Sequence, residues 1–510
     1  MAKNVFIAQS GGPSAVINNS MRGVIDAIRE DGSGSFGTIY AGRFGILGAL
    51  REELLDITAQ REEEIALLEV TPTAGAMGSC RYKLPKVKAD DLKEMLQRVD
   101  LASLRLGSLP EEAQDYARII QVFRRHNIGY FFYAGGNDSM ETAYKLSVVA
   151  EALGLDLVCT GVPKTIDNDV GDAERKLVDH TPGYGSTARY WRDLVQSANE
   201  ENAGSCTSDP VLIMQVMGRK VGYLPAAARL ADPERRFPLL IILSEMLHSE
   251  KKGSGESVKE ENQKIAEANL AFIEERLEPV LREHGRAVVV ISEGAYLGEV
   301  AAKSDLFGHA AYGTGIAAAT ILALRLNADK LNGKPGLLKR LGLAQGARYN
   351  VPGTDQRGFI GSVSAQDLLE AYESGRYAVQ IAKEGGGYMA TIKRGAAEDG
   401  SYKPEYDRVP LQLVASVDRA FPSEWIDRER ADVTDRFVEY ALPLIRTDLK
   451  IEREFPSLEA YFREREAVRA ETPLSVVLPL IGNRRRFTRF EPVYAGKELP
   501  DYVPVKFRSK

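Results

Sequence analysis

The chain is predicted to fold as an α/β protein: two doubly wound, Rossmann-like lobes with the site in the cleft between them, plus a C-terminal extension. Three observations carry this. Short apolar runs alternate with helix-period segments along most of the chain, the pattern of parallel strands joined by crossover helices. Several of those runs end in glycine-rich or acidic loops, and open α/β sheets bind ligands at the carboxyl ends of their strands. At 510 residues the chain is too long for one simple core. The expected spans are 1–185 for the first lobe, with later segments able to return to it, 186–395 for the second, and 396–510 for a helical extension packing on the body.

Val5-Phe6-Ile7-Ala8 reads as a buried parallel strand, apolar on both faces. Ser10-Gly11-Gly12-Pro13-Ser14 follows, then a helix with apolar residues from Val16 to Ile28 near a 3.6 period. Its N-terminus favours an anion over the glycines, although the same residues also make a plain strand-to-helix turn. Thr38–Ala41 is a second strand. The small-residue loop Thr71–Arg81 could aim the Arg81 guanidinium at phosphate oxygens or leave it solvated. Lys88–Gln97 and Pro110–His126 read as surface helices.

The stretch from Gly129 to Gly185 is the most informative. Tyr130–Tyr133 is a strand running into Ala134-Gly135-Gly136-Asn137-Asp138-Ser139, and Ser139–Leu153 is helix-like. Leu157–Thr160 is the next strand, running toward Pro163-Lys164-Thr165-Ile166-Asp167-Asn168-Asp169. Two adjacent loops then offer paired glycines, a Lys and three Asp, the parts needed to handle a phosphoryl group.

Beyond it, a helix is expected near Ala188–Ala198, a strand at Val211–Val216, then Met217-Gly218-Arg219 and a helix through Ala231. Phe237–Leu243 and Ala287–Ser292 are strands; the second ends at Glu293, a site acid or a solvated loop residue. Ser249–Gln263 reads as a mobile charged linker before a helix Ile265–His284. Arg348 and Arg357 bracket a loop, Ser364–Glu384 is a helix, Tyr388–Ile392 a strand and Val433–Tyr440 a helix. Residues 450–510 are charge-rich, with Arg484-Arg485-Arg486 a solvated face or partner contact.

A net charge of -6 argues against a general nucleic-acid binder. No apolar stretch is long enough to cross a bilayer, and the N-terminal apolar run is too short for a signal peptide. Cys80, Cys159 and Cys206 lie far apart, with no zinc or disulfide pattern, which fits a reducing cytoplasm.

The ordered series Gly11-Gly12, Gly135–Ser139, Pro163–Asp169, Met217-Gly218-Arg219, Glu293 and Gln356-Arg357 resembles the phosphofructokinase A family over about residues 4–445. ATP-using members carry Gly at the positions of Asp138 and Lys164; pyrophosphate-using members carry Asp and Lys, as here. A carboxylate at 138 would crowd and repel the α-phosphate of a nucleotide, and Lys164 would meet the charge of a small donor. The resemblance therefore implies reversible transfer of a phosphoryl group from pyrophosphate to the 1-hydroxyl of fructose 6-phosphate. An ATP-dependent kinase and a non-catalytic regulatory subunit are the rival readings; the intact Asp167 speaks against the latter.

Residue by residue, the resemblance makes Asp167 the base and Arg219 a stabiliser of the transferring group, with Lys164 and Asp138 completing the catalytic set. Thr165, Asp167, Asp169, Met217, Gly218, Arg219, Glu293 and Arg357 would bind the sugar phosphate, and Arg348 would reach it from a neighbouring subunit, implying a homodimer or larger homo-oligomer. Gly11, Gly12, Arg81, Gly136, Asp138 and Lys164 would hold pyrophosphate. Mg²⁺ is implied, with Asn137, Asp138 and Asp169 as its ligands. Three positions depart from the family pattern. Asn137 stands where many relatives carry Asp, Pro210 where another family Arg is expected, and Thr354 where ATP-type members often carry His.

Overall fold

A computed structural model describes residues 2–96, 105–172, 176–218, 221–253, 255–298, 317–331, 334–415, 417–446 and 487–508. The strands are β1 Lys3–Gln9, β2 Phe36–Gly42, β3 Leu54–Asp56, β4 Ile128–Gly135, β5 Val158–Pro163, β6 Val211–Val216, β7 Leu239–Ile242 and β8 Ala287–Ser292. The hairpin β9 Lys330–Leu331 and β10 Lys334–Pro335 follows, then β11 Arg348–Asn350, β12 Tyr388–Ala396 and β13 Tyr402–Pro410. A short pair, β14 Ile426–Asp427 and β15 Asp432–Val433, comes last.

The first lobe is built on a seven-stranded sheet in the order β13-β12-β5-β4-β1-β2-β3. Its middle strands are parallel, while β13 and β3 close the two edges antiparallel. Alternate residues of β1 serve opposite cores: Phe6 and Ala8 face one, Val5 and Ile7 the other. That is why the strand reads as continuously apolar. The second lobe is built on a parallel four-stranded sheet, β11-β6-β8-β7. Here too Val211 and Ile213 face one core, Met214 and Val216 the other.

Several expectations are corrected. The first sheet takes back residues 388–410, across the boundary expected at 395. Before it, the helix Ala365–Lys383 packs on the first-lobe helix Ile17–Arg29. Strand β13 was hidden by its composition: KPEYDR is polar because β13 is a partly exposed edge strand, where charge blocks pairing with other chains. The stretch expected as a helical extension thus begins with a strand, and residues 487–508 run mostly as irregular chain against the first lobe.

The helix expected from Ile265 begins at Glu256 and takes in much of the supposed linker. Its first turns are anchored by a polar contact that apolar periodicity cannot reveal. Buried Asn262 accepts from Lys251 N at 2.8 Å and donates to Lys251 O at 3.0 Å. The helix expected through Ala231 is one α-turn, Tyr223–Ala226, continued by a 3₁₀ segment. Glu111–Arg125, read as a surface helix, buries Tyr116, Ile119, Ile120 and Phe123. Residues 450–486, with Arg484, Arg485 and Arg486, lie outside the described residues.

Candidate active site

In the first sheet the chain leaves β1 for β2 on one side and returns as β4 on the other, so β1 and β4 flank a topological switch point, where such sheets open a crevice. Gln9 is level with Ala134, and Gly135 with Pro163. The loops after β1, β4 and β5 therefore emerge side by side. Across the cleft, Val216 is level with Ser292 in the second sheet, bringing Met217-Gly218 next to Glu293. A cavity of about 350 Å³ opens between these loops.

The structure brings Gly11, Gly12, Arg81, Gly136, Asn137, Asp138, Lys164, Thr165, Asp167, Asp169, Met217, Gly218 and Arg357 to its wall. Gly11 has φ +80°, and a Cβ there would lie 3.2 Å from Lys164 Nζ. A Cβ on Gly12 would lie 2.9 Å from Arg357 Nη1 and 3.8 Å from Arg81 Nη2. The paired glycines thus leave room for three cations to converge. The loop ending at Arg81 closes on them: Gly11 N donates to Cys80 O at 2.9 Å, and Ser79 Oγ to Gly11 O at 2.9 Å.

Lys164 is buried and donates to Gly12 O at 2.6 Å. Burial pulls its pKa down to about 8 against the attraction of Asp167, and Arg357 and Arg81 add to the fall. A phosphate entering here would meet Lys164, Arg357 and Arg81 together around the paired glycines. On the β5 loop, Asp167 N donates to Thr165 Oγ1 at 3.1 Å. Asn168 takes a left-handed φ of +57°, which asparagine tolerates, so the chain turns sharply between Asp167 and Asp169. Burial, with Asp167 and then Asp418 nearby, pushes the Asp169 carboxyl up to about 7.

In the second lobe, Gly218 N donates to Glu293 Oε1 at 3.2 Å, and Met217 N to Gln356 Oε1 at 3.1 Å. Glu293 therefore holds the turn that faces the cavity. Arg348 stands apart on β11, largely exposed and paired with Asp209 at 2.8 Å. Arg219 lies outside the described residues.

Sequence reasoning missed three residues. Lys83, two positions after Arg81, pairs with the exposed Asp138 at 2.6 Å and lines the cavity. Asp418 reaches the same cavity from the segment after β13 and accepts from Asn137 Nδ2 at 2.7 Å. Arg419, fully buried, donates through Nε and Nη2 to Asn168 O at 3.0 and 2.7 Å, and through Nη2 to Asn168 Oδ1 at 2.7 Å. Its Nη1 reaches Val178 O and Asp179 O. Asp418 and Arg419 lie far along the chain in a stretch with no distinctive motif; only the charged loop position of Lys83 was a signal.

Among the described residues no three carboxylates, imidazoles or thiols stand close enough to hold a metal alone. The cavity nevertheless suits a hard cation carried by phosphates. Asn137 Oδ1 is buried without a hydrogen-bond partner among the described residues, and Asp169 is a carboxylate raised by burial and like charge. Mg²⁺ takes one or two such protein oxygens and completes its shell with phosphate and water.

Fold and cleft together define a two-lobed α/β phosphotransferase. The chain belongs to the phosphofructokinase family, whose model, described as "Phosphofructokinase", matches residues 4–382. It is 36% identical over 454 residues to the pyrophosphate--fructose 6-phosphate 1-phosphotransferase of Methylococcus capsulatus, covering 87% of this chain and 92% of the relative. It is 33% identical over 467 residues to the protein of the same name from Halomonas elongata, covering 89% and 94%. The crystal structure of pyrophosphate-dependent phosphofructokinase from Nitrosospira multiformis superposes with a TM-score of 0.69 at 30% identity, covering 99% of this chain and 100% of that one.

Proposed function

We propose that the chain catalyses reversible phosphoryl transfer from pyrophosphate to the 1-hydroxyl of fructose 6-phosphate, giving fructose 1,6-bisphosphate and phosphate, as a glycolytic enzyme of the cytoplasm. The observation that carries this is the pairing of Asp138 with Lys83 at the wall of the cavity that holds Lys164 and Asp167. By the family pattern a carboxylate at 138 crowds the place of a nucleotide's α-phosphate, and Lys83, which lines the same cavity, adds a cation suited to a donor that is all phosphate.

In this reading Lys164, Arg81 and the backbone around Gly11, Gly12 and Gly136 hold pyrophosphate. Asp167 accepts the proton of the 1-hydroxyl as the sugar oxygen bonds to phosphorus and the bond to the departing phosphate breaks. Lys164 and Arg219 balance the charge on the transferring group and on the phosphate that leaves. Thr165, through the Asp167 amide, keeps the carboxylate in place. Met217, Gly218, Glu293 and Arg357 orient the sugar, and Arg357, beside Gly12, is positioned to touch both substrates. Asn137 and Asp169, with Asp138 beside them, would hold Mg²⁺, which when bound shields the charge of the phosphates. Arg348, exposed on an edge strand and paired with Asp209, would in this reading serve the site of a neighbouring subunit in a homodimer or larger homo-oligomer.

A donor assay tests the reading. With fructose 6-phosphate and Mg²⁺, turnover should require pyrophosphate and be slight with ATP. The Asp138→Gly, Lys164→Gly double variant should lose most pyrophosphate activity and gain relative use of ATP. Efficient turnover of the unsubstituted chain with ATP alone would favour the ATP-dependent kinase instead.

A further inference from the structure

We propose that Asp418 holds the divalent cation accompanying the donor, supplying beside Asn137 the negative charge that the asparagine lacks. This rests on the pyrophosphate reading above. Asp418, Asn137 and Asp169 line one cavity. Asn137 Nδ2 donates to Asp418 Oδ1 at 2.7 Å, which fixes the amide with its nitrogen toward the carboxylate. The amide oxygen is then left over, buried without a partner among the described residues, in a residue only 9% exposed. A buried carbonyl oxygen without a donor beside a carboxylate is an arrangement that a hard cation completes.

The position of Asp418 is set by its backbone. Asp418 makes an isolated bridge to Val170, and Arg419 N donates to Asp169 O at 2.7 Å. The segment after β13 is thereby stitched to the turn that carries Asp167 and Asp169. Asp167, Asp169 and Asp418 all line this cavity. Three carboxylates facing one cavity repel one another, and a cation entering with the phosphates relieves that repulsion. Asp418 comes from a remote part of the chain, so a site that shows Asn at the family's acidic position regains its charge from elsewhere.

The test is a Mn²⁺ titration of the full-length protein, followed by the EPR signal of free Mn²⁺, with methylenediphosphonate as an unreactive donor. Asp418→Asn should weaken Mn²⁺ binding about tenfold or more while leaving fructose 6-phosphate affinity and melting temperature unchanged. Adding Asn137→Asp to that variant should restore Mn²⁺ binding, because the charge returns to the neighbouring position. Unchanged Mn²⁺ affinity in Asp418→Asn would overturn the proposal, as would a loss that Asn137→Asp fails to repair. Failure of the unsubstituted protein to bind Mn²⁺ with methylenediphosphonate would instead overturn the donor reading, and this proposal with it.

Discussion

Asp167 and Asp169 are separated by one residue and have different surroundings. Asp167 is partly exposed at the cavity, its backbone tied to Thr165, whereas Asp169 is pushed up by burial and by its acidic neighbours. In the proposed mechanism Asp167 is the group that takes the proton of the incoming hydroxyl. Asp167→Ser should therefore lower kcat by about 10²–10⁴ and leave the KM for fructose 6-phosphate nearly unchanged, measured by steady-state kinetics at saturating pyrophosphate. Near-normal kcat would move the base elsewhere. The sequence made most of this legible, because each side chain stands in a loop right after a strand, and strand register brings such loops together. It did not make Lys83 legible: a Lys on a polar loop has many solvated equivalents, and only its approach to Asp138 separates it from them.

The element that sequence reading undervalued is the segment after β13. Arg419 clamps the Asp167–Asp169 turn from behind, and its guanidinium lies over the Tyr223 ring of the second lobe, 5.1 Å from the centroid. Tyr440 adds a second brace, accepting from Asn168 Nδ2 at 2.8 Å and donating to Asp179 O at 2.9 Å. A buried guanidinium held by carbonyl oxygens leaves those acceptors unpaired when it is removed. Arg419→Met should cost about 3 kcal/mol or more of stability and lower kcat through the displaced turn, while Arg419→Lys should recover part of both. Urea denaturation checks the first effect and kinetics the second; unchanged stability would mean that the turn holds itself. Strands with continuous apolar residues, such as β1 and β8, are readable from composition. β13 and the start of the helix Glu256–His284 are not, because an exposed edge strand and the Asn262 anchor use polar residues that also suit loops.

At the scale of the whole molecule, three stretches distant in sequence meet at one buried charge network. His180 Nδ1 lies 2.8 Å from Asp179 Oδ2 and its Nε2 lies 2.6 Å from Glu370 Oε2, on the helix Ala365–Lys383. Arg394 of β12 donates to both oxygens of Asp179, and Tyr402 of β13 and Gln366 donate to Glu370. Burial works against a charged imidazole, but Glu370 and Asp179 outweigh it and raise the His180 pKa to about 9. Asp179 goes the other way: burial opposes ionisation, but His180 and Arg394 lower it to about 2. The His180 contribution is therefore complete below its unfolded pKa, about 6.5, and disappears as pH rises through about 9. The Asp179 contribution is present above its unfolded pKa, about 3.9, and is lost only as pH falls toward 2. His180 should thus add on the order of 3 kcal/mol near pH 6, and the stability gap between the unsubstituted chain and His180→Gln should narrow steadily between pH 6.5 and 9.5. Denaturant unfolding at a series of pH values measures that gap. A gap that stays constant across the range would show that His180 is neutral in the fold, and that the three stretches are joined by hydrogen bonds without the imidazolium charge.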